Sequence, residues 1–395
     1  MSESQGSARP TTPPRERATA IRQRLAELRG PTTVPRPLDA RALAALAANP
    51  GCRRRALLDG AGVDKGALAE ALGSPSAAFG QSQFAIARGN TFEARVKSDG
   101  GTELLRLLHE RTGGEPPKDA AVPDLAAAGP EGRAARTALA LREATASGGW
   151  TLLDHPMLAL EVAGSPAYLE PDAVVIAPDG RWTVVEIKSF PMIDAAADPA
   201  KVGAAARQAA VYVLALERVA GLVRGAAAPS KAPVPEVSSS VLLVCPKDFS
   251  NLPTASLVDV RKQLSVTRRQ LARLTRIEEI ADALPPGASF ALDRPAPELT
   301  DTVESVPATY APECLAACEL AFHCRERARS VAAVTALGRG LRAELGALTS
   351  VGAVLDAARG HSGDAADPAV AALRRAAALR AEALEGAATG GAVCR

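Results

Sequence analysis

The sequence predicts an α/β fold in which a central mixed sheet is flanked by helices. Two short apolar runs, AVVIA and WTVVEI, flank Pro178-Asp179-Gly180-Arg181, and an Asp-Gly pair between β-branched runs is a strong hairpin signal. A third apolar run, SSSVLLVCPK, predicts a buried strand that carries Cys245 as a structural residue. Apolar residues make up 47% of the chain and aromatic residues only 3%, so we expect Ala-rich helices around a modest β core.

Length and charge limit the classes of protein to which the chain can belong. Its 395 residues suffice for one large domain or two ordinary ones. The net charge of +2 is nearly neutral, so nucleic-acid binding cannot be argued from total charge and needs local basic patches. No apolar run approaches the roughly 20 residues that span a bilayer, and the N-terminus lacks an apolar signal core. We therefore expect a cytoplasmic protein with no membrane partner.

The two ends of the chain differ in composition from its middle. Residues 1–36 are rich in Pro, Arg, Ser and Thr and are predicted to be a disordered basic tail, although RERATAIRQRLAELRG favours a short basic helix. Residues 341–395 read as Ala/Leu/Arg helices and are expected to be a C-terminal helical extension. The middle, 37–340, is then the main domain.

A basic segment follows the predicted buried strand. Residues 257–284 fit one long amphipathic helix, with Val258, Leu264, Leu271, Leu274 and Ile277 facing inward. The cations of this segment are expected on its outer face: Arg261, Lys262, Arg268, Arg269, Arg273 and Arg276. A run of cations is usually a solvated helix face. The stretch from 261 to 277 contains no acid, so contact with a phosphate backbone is favoured as strongly as a solvated face.

The predicted hairpin gathers charged side chains. Asp172 opens its first strand, and Glu186 and Lys188 are two apart on the second, which puts them on one face. On the next helix, Gln208 and Tyr212 are four apart and also share a face. An E-x-K pattern alone is usually an exposed ion pair, so its meaning depends on the surrounding residues.

These residue types suit metal-dependent hydrolysis of a phosphodiester. Such a reaction needs oxygen ligands for a divalent ion, an activated water and a cation for the developing phosphate charge. Asp172 and Glu186 supply carboxylates, and the Ile187 carbonyl can complete the metal shell. Lys188 is placed to orient the water or to neutralise the phosphate.

The wider pattern resembles the PD-(D/E)xK nuclease superfamily. It combines E-P-D, a spacing of fourteen residues from Asp172 to Glu186, E-I-K, and Q-x3-Y on the following helix. The Q-x3-Y motif resembles that of the RecB-like branch, in which a helix upstream of the hairpin adds an acidic residue or His to the metal site. Glu93, in R-G-N-T-F-E, matches that position. The resemblance implies that Gln208 and Tyr212 position Lys188 or the DNA backbone.

The cysteines extend this resemblance. Six Cys in a cytosolic chain favour metal ligands or buried thiols over disulfides. The CRISPR-associated RecB-like and AddB-type nucleases carry an iron–sulfur cluster held by one upstream Cys and three near the C-terminus, which implies Cys52, Cys314, Cys318 and Cys324 as ligands of a [4Fe–4S] cluster. The x3 between Cys314 and Cys318 departs from the usual x2. His323 leaves zinc as an alternative, and unrelated buried thiols are another. Purified protein should be brown with iron–sulfur and colourless with zinc.

Taken together, the resemblance implies a restriction-endonuclease-like core over 37–340, with a helical iron–sulfur lobe joining its two ends. It implies a Mg²⁺- or Mn²⁺-dependent deoxyribonuclease, acting as an exonuclease on single-stranded DNA or DNA ends in repair or phage defence. A helicase or another defence-system protein is the expected partner. One alternative is an inactive, nuclease-like DNA-binding or assembly subunit, and another is an RNA or nucleotide substrate. Cleavage polarity and oligomeric state stay open.

Overall fold

We describe the protein from a computed structural model, which describes residues 14–75, 83–114, 116–117, 120–226, 234–248 and 250–390. The chain forms two compact units. The first comprises Met1–Asp64 with Gly80–Arg294, and the second Lys65–Phe79 with Pro295–Arg395. These limits differ from the predicted segments 1–36, 37–340 and 341–395. We treat each unit separately.

The described residues form the following elements. The helices are α1 Pro14–Arg29, α2 Ala40–Ala48, α3 Arg53–Ala61, α4 Lys65–Ala71, α5 Gln83–Val96, α6 Thr102–Thr112, α7 Gly129–Ser147, α8 Pro199–Ala226, α9 Arg261–Leu271, α10 Ile277–Asp282, α11 Ala296–Ser305, α12 Ala321–Ser330, α13 Arg339–Glu344, α14 Val351–Ala358 and α15 Pro368–Gly390, with 3-10 helices η1 Pro312–Ala316 and η2 Val334–Leu337. The strands are β1 Thr151–Asp154, β2 Leu158–Val162, β3 Ser165–Leu169, β4 Ala173–Ile176, β5 Arg181–Ile187, β6 Glu236–Val237, β7 Ser240–Pro246 and β8 Pro253–Asp259.

The first unit is built around one mixed sheet, as predicted. Its order is β1-β4-β5-β7-β8, with β6 also paired to β5. The β1–β4, β4–β5 and β7–β8 pairs are antiparallel, whereas β5 and β7 are parallel and are connected through the long helix α8. A parallel pair needs such a crossover because its strands cannot be joined by a tight turn. Strands β2 and β3 form a separate hairpin.

The predicted Asp-Gly hairpin is confirmed. The Ala177 amide donates to the Arg181 carbonyl at 2.9 Å, and the Gly180 amide donates to the Ala177 carbonyl at 2.9 Å. Gly180 has a φ of +84°, which a residue without a Cβ adopts at little cost. The strands then pair in the register Ala173 opposite Val185, so the residues one step beyond, Asp172 and Glu186, face each other across the same end.

The two faces of the sheet pack against different helices. On one face, Phe92 of α5 and Leu104 of α6 join Val185 and Ile187 in a buried apolar cluster. Side chains alternate along a strand, so Glu186, between these two residues, points to the opposite face. That face is covered by α8, where Ala205 packs against Leu243. The carboxylate of Glu186 is therefore placed beneath a helix rather than in solvent.

Part of the predicted N-terminal tail is a docked helix. Residues 14–29 form α1, in agreement with the alternative of a short basic helix and not with disorder over this stretch. Leu28 is fully buried, the Phe290 amide donates to its carbonyl at 2.7 Å, and Arg29 Nη1 donates to the Ala61 carbonyl at 2.7 Å. Two leucines three residues apart, Leu25 and Leu28, supply the buried stripe that the Arg-rich composition obscures. Residues 1–13 lie outside the described part.

The long helix predicted for 257–284 is wrong. Its first residues belong to β8, which pairs with β7 from Pro253 to Asp259, so Val258 lies in a strand. The remainder is two helices, α9 and α10, separated where the Ile277 amide donates to the Ala163 carbonyl at 3.1 Å. The four residues that gave the sequence its helical pattern after Asp259 are all buried, although Leu274 lies between the two helices: Leu264, Leu271, Leu274 and Ile277. Pairing with β7, the strand that immediately precedes β8 in the chain, overrides the local helical periodicity.

The second unit is helical. Helix α14 packs against α15, and Arg374 of α15 donates to the carbonyls of Ala357, Ser362 and Gly363, which joins the two helices through the intervening turn. Lys65 and Glu319 form an ion pair at 3.7 Å, which connects the two chain segments of this unit. Among the helices in the described ranges, none is long and apolar enough to cross a membrane.

Gly101, which precedes α6, provides a test of the packing between α6 and β1. It has a φ of +87°, and a Cβ there would lie 2.0 Å from Leu152 Cδ2. We expect Gly101→Ala to lower the free energy of unfolding by about 2–4 kcal/mol, since it adds a clash to the strain. Gly100→Ala is the matched control: its φ is +71° with nothing within 4 Å, so only about 1 kcal/mol is expected. Urea unfolding measures both, and equal losses would contradict this packing.

Candidate active site

The centre of the site is the buried carboxylate of Glu186. Glu186 is 1% exposed, and neither of its side-chain oxygens accepts a hydrogen bond of normal geometry from the described residues. It borders a small cavity of about 10 Å³ whose other lining residues are apolar: Val202, Ala205, Ala206, Ala209, Val241, Leu243, Val258 and Val260. Because this apolar burial disfavours the charged form, the pKa of Glu186 is raised to about 7, even with Lys188 opposing the shift.

Lys188 is the cation beside this carboxylate. Its ammonium forms an ion pair with Glu186 Oε1, which confirms that the two side chains share a face. The Lys188 amide donates to the Val244 carbonyl at 2.9 Å, which extends the β5–β7 pairing past the end of the strand. Burial lowers the pKa of Lys188, but the charges of Glu186 and Asp172 outweigh burial and raise it. Lys188 is therefore a positively charged group held at the edge of the site, 23% exposed.

Asp172 lies directly before β4 and faces Glu186. Its Oδ2 accepts a hydrogen bond from the Ile187 amide at 2.6 Å. Ile187 pairs with Val244, and the Lys188 amide bonds back to Val244, so the amide and carbonyl of Ile187 point toward the β4 side. The carbonyl predicted as a metal ligand thus lies on the same side as Asp172. Burial raises the pKa of the Asp172 carboxyl, and the positive charge of Lys188 limits the rise.

Gln208 and Tyr212 support the chain segment that leads into Asp172. Gln208 Nε2 donates to the Tyr212 hydroxyl at 3.1 Å, and that hydroxyl donates to the Glu170 carbonyl at 3.2 Å. These hydrogen bonds hold Glu170, two residues before Asp172. That Gln208 and Tyr212 position Lys188 or the DNA backbone stays a prediction. Burial, together with the nearby negative charge of Glu186, raises the pKa of Tyr212, so its hydroxyl stays protonated and able to donate.

Glu93 of α5 reaches the same end of the sheet. Its Oε1 contacts Lys97 Nζ at 2.6 Å and His155 Nε2 at 3.1 Å. The hydrogen bond from His155 and the contacts with Lys97 lower the pKa of Glu93 to about 2 against the effect of its burial. Lys97 contacts both Glu93 Oε1 and the Asp172 carbonyl, which places Glu93 close to Asp172, and the negative charge of Glu93 adds to the raised pKa values of Asp172 and Glu186.

Several residues of this cluster were not predicted from the sequence. Lys97 and Asp154 form an ion pair at 2.7 Å, and Lys97 also donates to the Asp172 carbonyl at 2.8 Å. Arg133 pairs with Glu170 at 2.9 Å. Lys97 was detectable, because it follows Glu93 by four residues on one helix. His155 and Arg133 were not, because their positions depend on the end of β1 and on the packing of α7.

The predicted basic face is present on α9 and beside it. Three of its six cations are partly neutralised by ion pairs: Arg261 with Asp259, Arg268 with Glu217, and Arg276 with Glu278. The other three are exposed and make no ion pair with the described residues: Lys262, Arg269 and Arg273. Helix α9 packs against α8, the helix that carries Gln208 and Tyr212, so this face and the carboxylate site share one scaffold.

The four predicted cluster ligands belong to different parts of the chain. Cys52 is buried in the first unit, where it precedes α3. In the second unit, Cys314 lies in η1, Cys324 lies in α12, and the Cys318 amide donates to the Cys314 carbonyl at 2.8 Å, which places Cys314 and Cys318 one turn apart. Within the described ranges, no group of three or more His, Cys, Asp or Glu side chains is arranged to hold a metal ion. A [4Fe–4S] cluster and a zinc ion at these cysteines both stay predictions.

The raised pKa of Glu186 predicts that the stability of the protein depends on pH. The usual value is 4.5 and the folded value is about 7, so the folded state binds more protons than the unfolded state between these pH values. The penalty for burying the ionised carboxylate thus grows as pH rises through this window. In EDTA, we expect Glu186→Gln to gain about 1–3 kcal/mol of stability relative to wild type between pH 5 and pH 8. Urea unfolding across pH measures the difference. Glu279→Gln, at an exposed carboxylate, is the control, and the same flat difference for both variants would contradict the assignment.

Comparison with known proteins finds no match for this chain: no family model, no curated protein and no solved structure matches it. Evidence on function therefore comes from the residues and the geometry of this site.

Proposed function

We propose that the chain is a metal-dependent phosphodiester hydrolase that acts on DNA, with a PD-(D/E)xK core of the RecB-like type. The observation that carries the proposal is the pair of facing carboxylates, Asp172 and Glu186, with Lys188 beside them. Glu186 is buried, its Oε1 forms an ion pair with Lys188, and its Oε2 accepts no hydrogen bond from the described residues. Keeping such a group costs stability, and a site of this kind is typical of ligand binding or catalysis.

The residues present suit a hard divalent ion. Mg²⁺ and Mn²⁺ prefer oxygen ligands, and Mg²⁺ is commonly held by one or two carboxylates while it keeps several waters. Asp172, Glu186 and the Ile187 carbonyl would hold the ion, since all three lie at one end of the β4–β5 hairpin. The ion would supply a polarised phosphoryl oxygen and a more acidic water. Oε2 of Glu186, which accepts no hydrogen bond from the described residues, has free lone pairs for such a ligand.

The protein's own groups would prepare the reaction. The Lys188 ammonium would lie near the phosphate that gains negative charge during the attack and would stabilise that charge. This electrostatic role requires no movement of β5. Tyr212 and Gln208 would hold the turn before Asp172 and so fix the position of its carboxylate. Glu93 would add a third negative charge at the mouth of the site, from a separate helix.

The exposed cations of the α9 region would bind the DNA backbone. Glu217, which pairs with Arg268 of α9, lies nine residues after Gln208 on the same helix, a distance of about 14 Å at 1.5 Å per residue. A few nucleotides of extended strand span that distance. Contacts to phosphate carry no base information, so we propose binding without sequence preference. An RNA strand would meet the same cations, and the first experiment below therefore compares both substrates.

The first prediction concerns cleavage. Asp172→Asn and Lys188→Gln should each lower Mg²⁺- or Mn²⁺-dependent cleavage of end-labelled DNA by at least about a hundredfold, because each removes a group that contacts the metal or the phosphate. The matched control is Asp179→Asn, which changes an exposed aspartate at the turn of the same hairpin and should cleave like wild type. Single-stranded DNA and RNA of one sequence, labelled at the 5′ or 3′ end, separate the substrate classes and the polarity. Cleavage that survives in both site variants would overturn the proposal.

The second prediction concerns binding of DNA. A triple variant, Lys262→Gln, Arg269→Gln and Arg273→Gln, should weaken binding of single-stranded DNA uniformly across sequences. Each lost phosphate contact should reduce the slope of log K against log salt by about 0.7. The control changes three exposed arginines of the second unit: Arg359, Arg375 and Arg380. Fluorescence anisotropy in Ca²⁺ at several salt concentrations measures the slopes, and identical slopes for both triple variants would contradict the proposed DNA path.

A further inference from the structure

Lys97 occupies an unusual position next to the carboxylate site. It is one turn after Glu93 on α5, and its side chain is only 13% exposed. Its ammonium contacts Glu93 Oε1 at 2.6 Å, Asp154 Oδ1 at 2.7 Å and the Asp172 carbonyl at 2.8 Å. These three oxygens come from a helix, from β1 and from the residue that opens β4. One side chain thus joins three elements at the end of the sheet where the carboxylates meet.

The hydrogen-bond donors of the Lys97 ammonium are all used by its three oxygen partners. A lysine ammonium has three N–H donors and no acceptor, and three oxygens take up all three donors. The fourth neighbour, His155 Nε2 at 3.1 Å from Lys97, therefore receives no proton from it. His155 Nε2 lies equally close to Glu93 Oε1, at 3.1 Å, so it carries the hydrogen and donates to that oxygen. Lys97 and His155 thus both engage Oε1 of Glu93.

The consequence concerns the second oxygen of Glu93. Within the described residues, Oε2 receives no hydrogen bond or ion pair. With Oε1 held from two sides, the carboxylate plane is fixed and Oε2 is the oxygen left for another ligand. Lys97 simultaneously holds the main chain of Asp172, whose own side chain is anchored by the Ile187 amide at 2.6 Å. Hydrogen bonds of this kind orient metal ligands, and their loss typically weakens metal binding by about 10–100-fold.

We infer that Lys97 is a positioning residue: by bridging Glu93, Asp154 and the Asp172 carbonyl, it fixes the position of Asp172, which with Glu186 would bind a divalent cation, and holds Glu93 beside that pair. This inference rests on the proposed function, because it assumes that Asp172 and Glu186 bind the ion. A positioning role differs from a catalytic role. Lys97 is enclosed by its three oxygen partners, whereas Lys188 is the cation beside Glu186.

The test compares Mn²⁺ affinity in two lysine-network variants. Mn²⁺ is titrated into metal-free protein, and the dissociation constant is obtained from thermal midpoints and from calorimetry, without any substrate. Lys97→Met should remain folded by circular dichroism and bind Mn²⁺ about tenfold or more weakly than wild type. Asp154→Asn, which removes the negative charge of one partner of Lys97 at a half-exposed position, should cause a smaller loss and covers the case in which Lys97→Met does not fold. Arg95→Met, an exposed cation two residues away on α5, is the control and should match wild type.

A second readout separates positioning from catalysis. At saturating Mn²⁺, Lys97→Met should recover most of the wild-type cleavage rate, while its half-saturating metal concentration rises about tenfold. Mn²⁺ affinity of Lys97→Met and Asp154→Asn equal to or tighter than wild type would overturn the inference and leave the metal site itself intact. Absence of Mn²⁺ binding in wild type would instead overturn the proposed function.

Discussion

The burial of the Glu186 carboxylate beneath α8 is the constraint on which the site depends. The alternation of β5 sends Val185 and Ile187 into one apolar cluster and leaves Glu186 on the other face, among the alanines of α8. An ionised carboxylate in such surroundings is unfavourable, and its pKa rises to about 7. A neighbouring cation, Lys188, offsets part of the cost. A divalent ion would offset more, since it brings two charges and direct ligand bonds.

The remainder of the first unit holds the approach to that carboxylate in place. The segment Glu170-Pro171-Asp172 is held by Tyr212 from α8, by Arg133 from α7 and by Lys97 from α5. Three helices thus contact this short segment. Their side chains bond to its main-chain carbonyls or to the Glu170 carboxylate. The Asp172 carboxylate accepts its hydrogen bond from the Ile187 amide. Rigid support of this kind suits a site whose ligands must keep fixed positions.

The sequence was informative where local chemistry decides the structure. The Asp-Gly turn, the E-x-K spacing and the buried run around Cys245 each depend on neighbours within a few residues, and the structure agrees with them. The predicted helix over 257–284 is wrong at its start because residues up to Asp259 continue a strand that pairs with β7, and helical spacing of the leucines does not reveal that pairing. Likewise, the network of Lys97, Asp154 and His155 joins α5 to the end of β1, and no spacing rule connects residue 97 with residue 154. The carboxylates were visible in the sequence, whereas their supports required the fold.

Direct observation of the cation tests the central claim most closely. A crystal grown or soaked with Mn²⁺ and measured for anomalous scattering should show a peak within about 2.3 Å of oxygen atoms from Asp172 and Glu186, close to the Ile187 carbonyl. In a crystal of Glu186→Gln the peak should be lost or strongly reduced. A wild-type crystal at millimolar Mn²⁺ with both carboxylates ordered and no peak between them would contradict the account, because Glu186 would then be a buried carboxylate with no cation to bind.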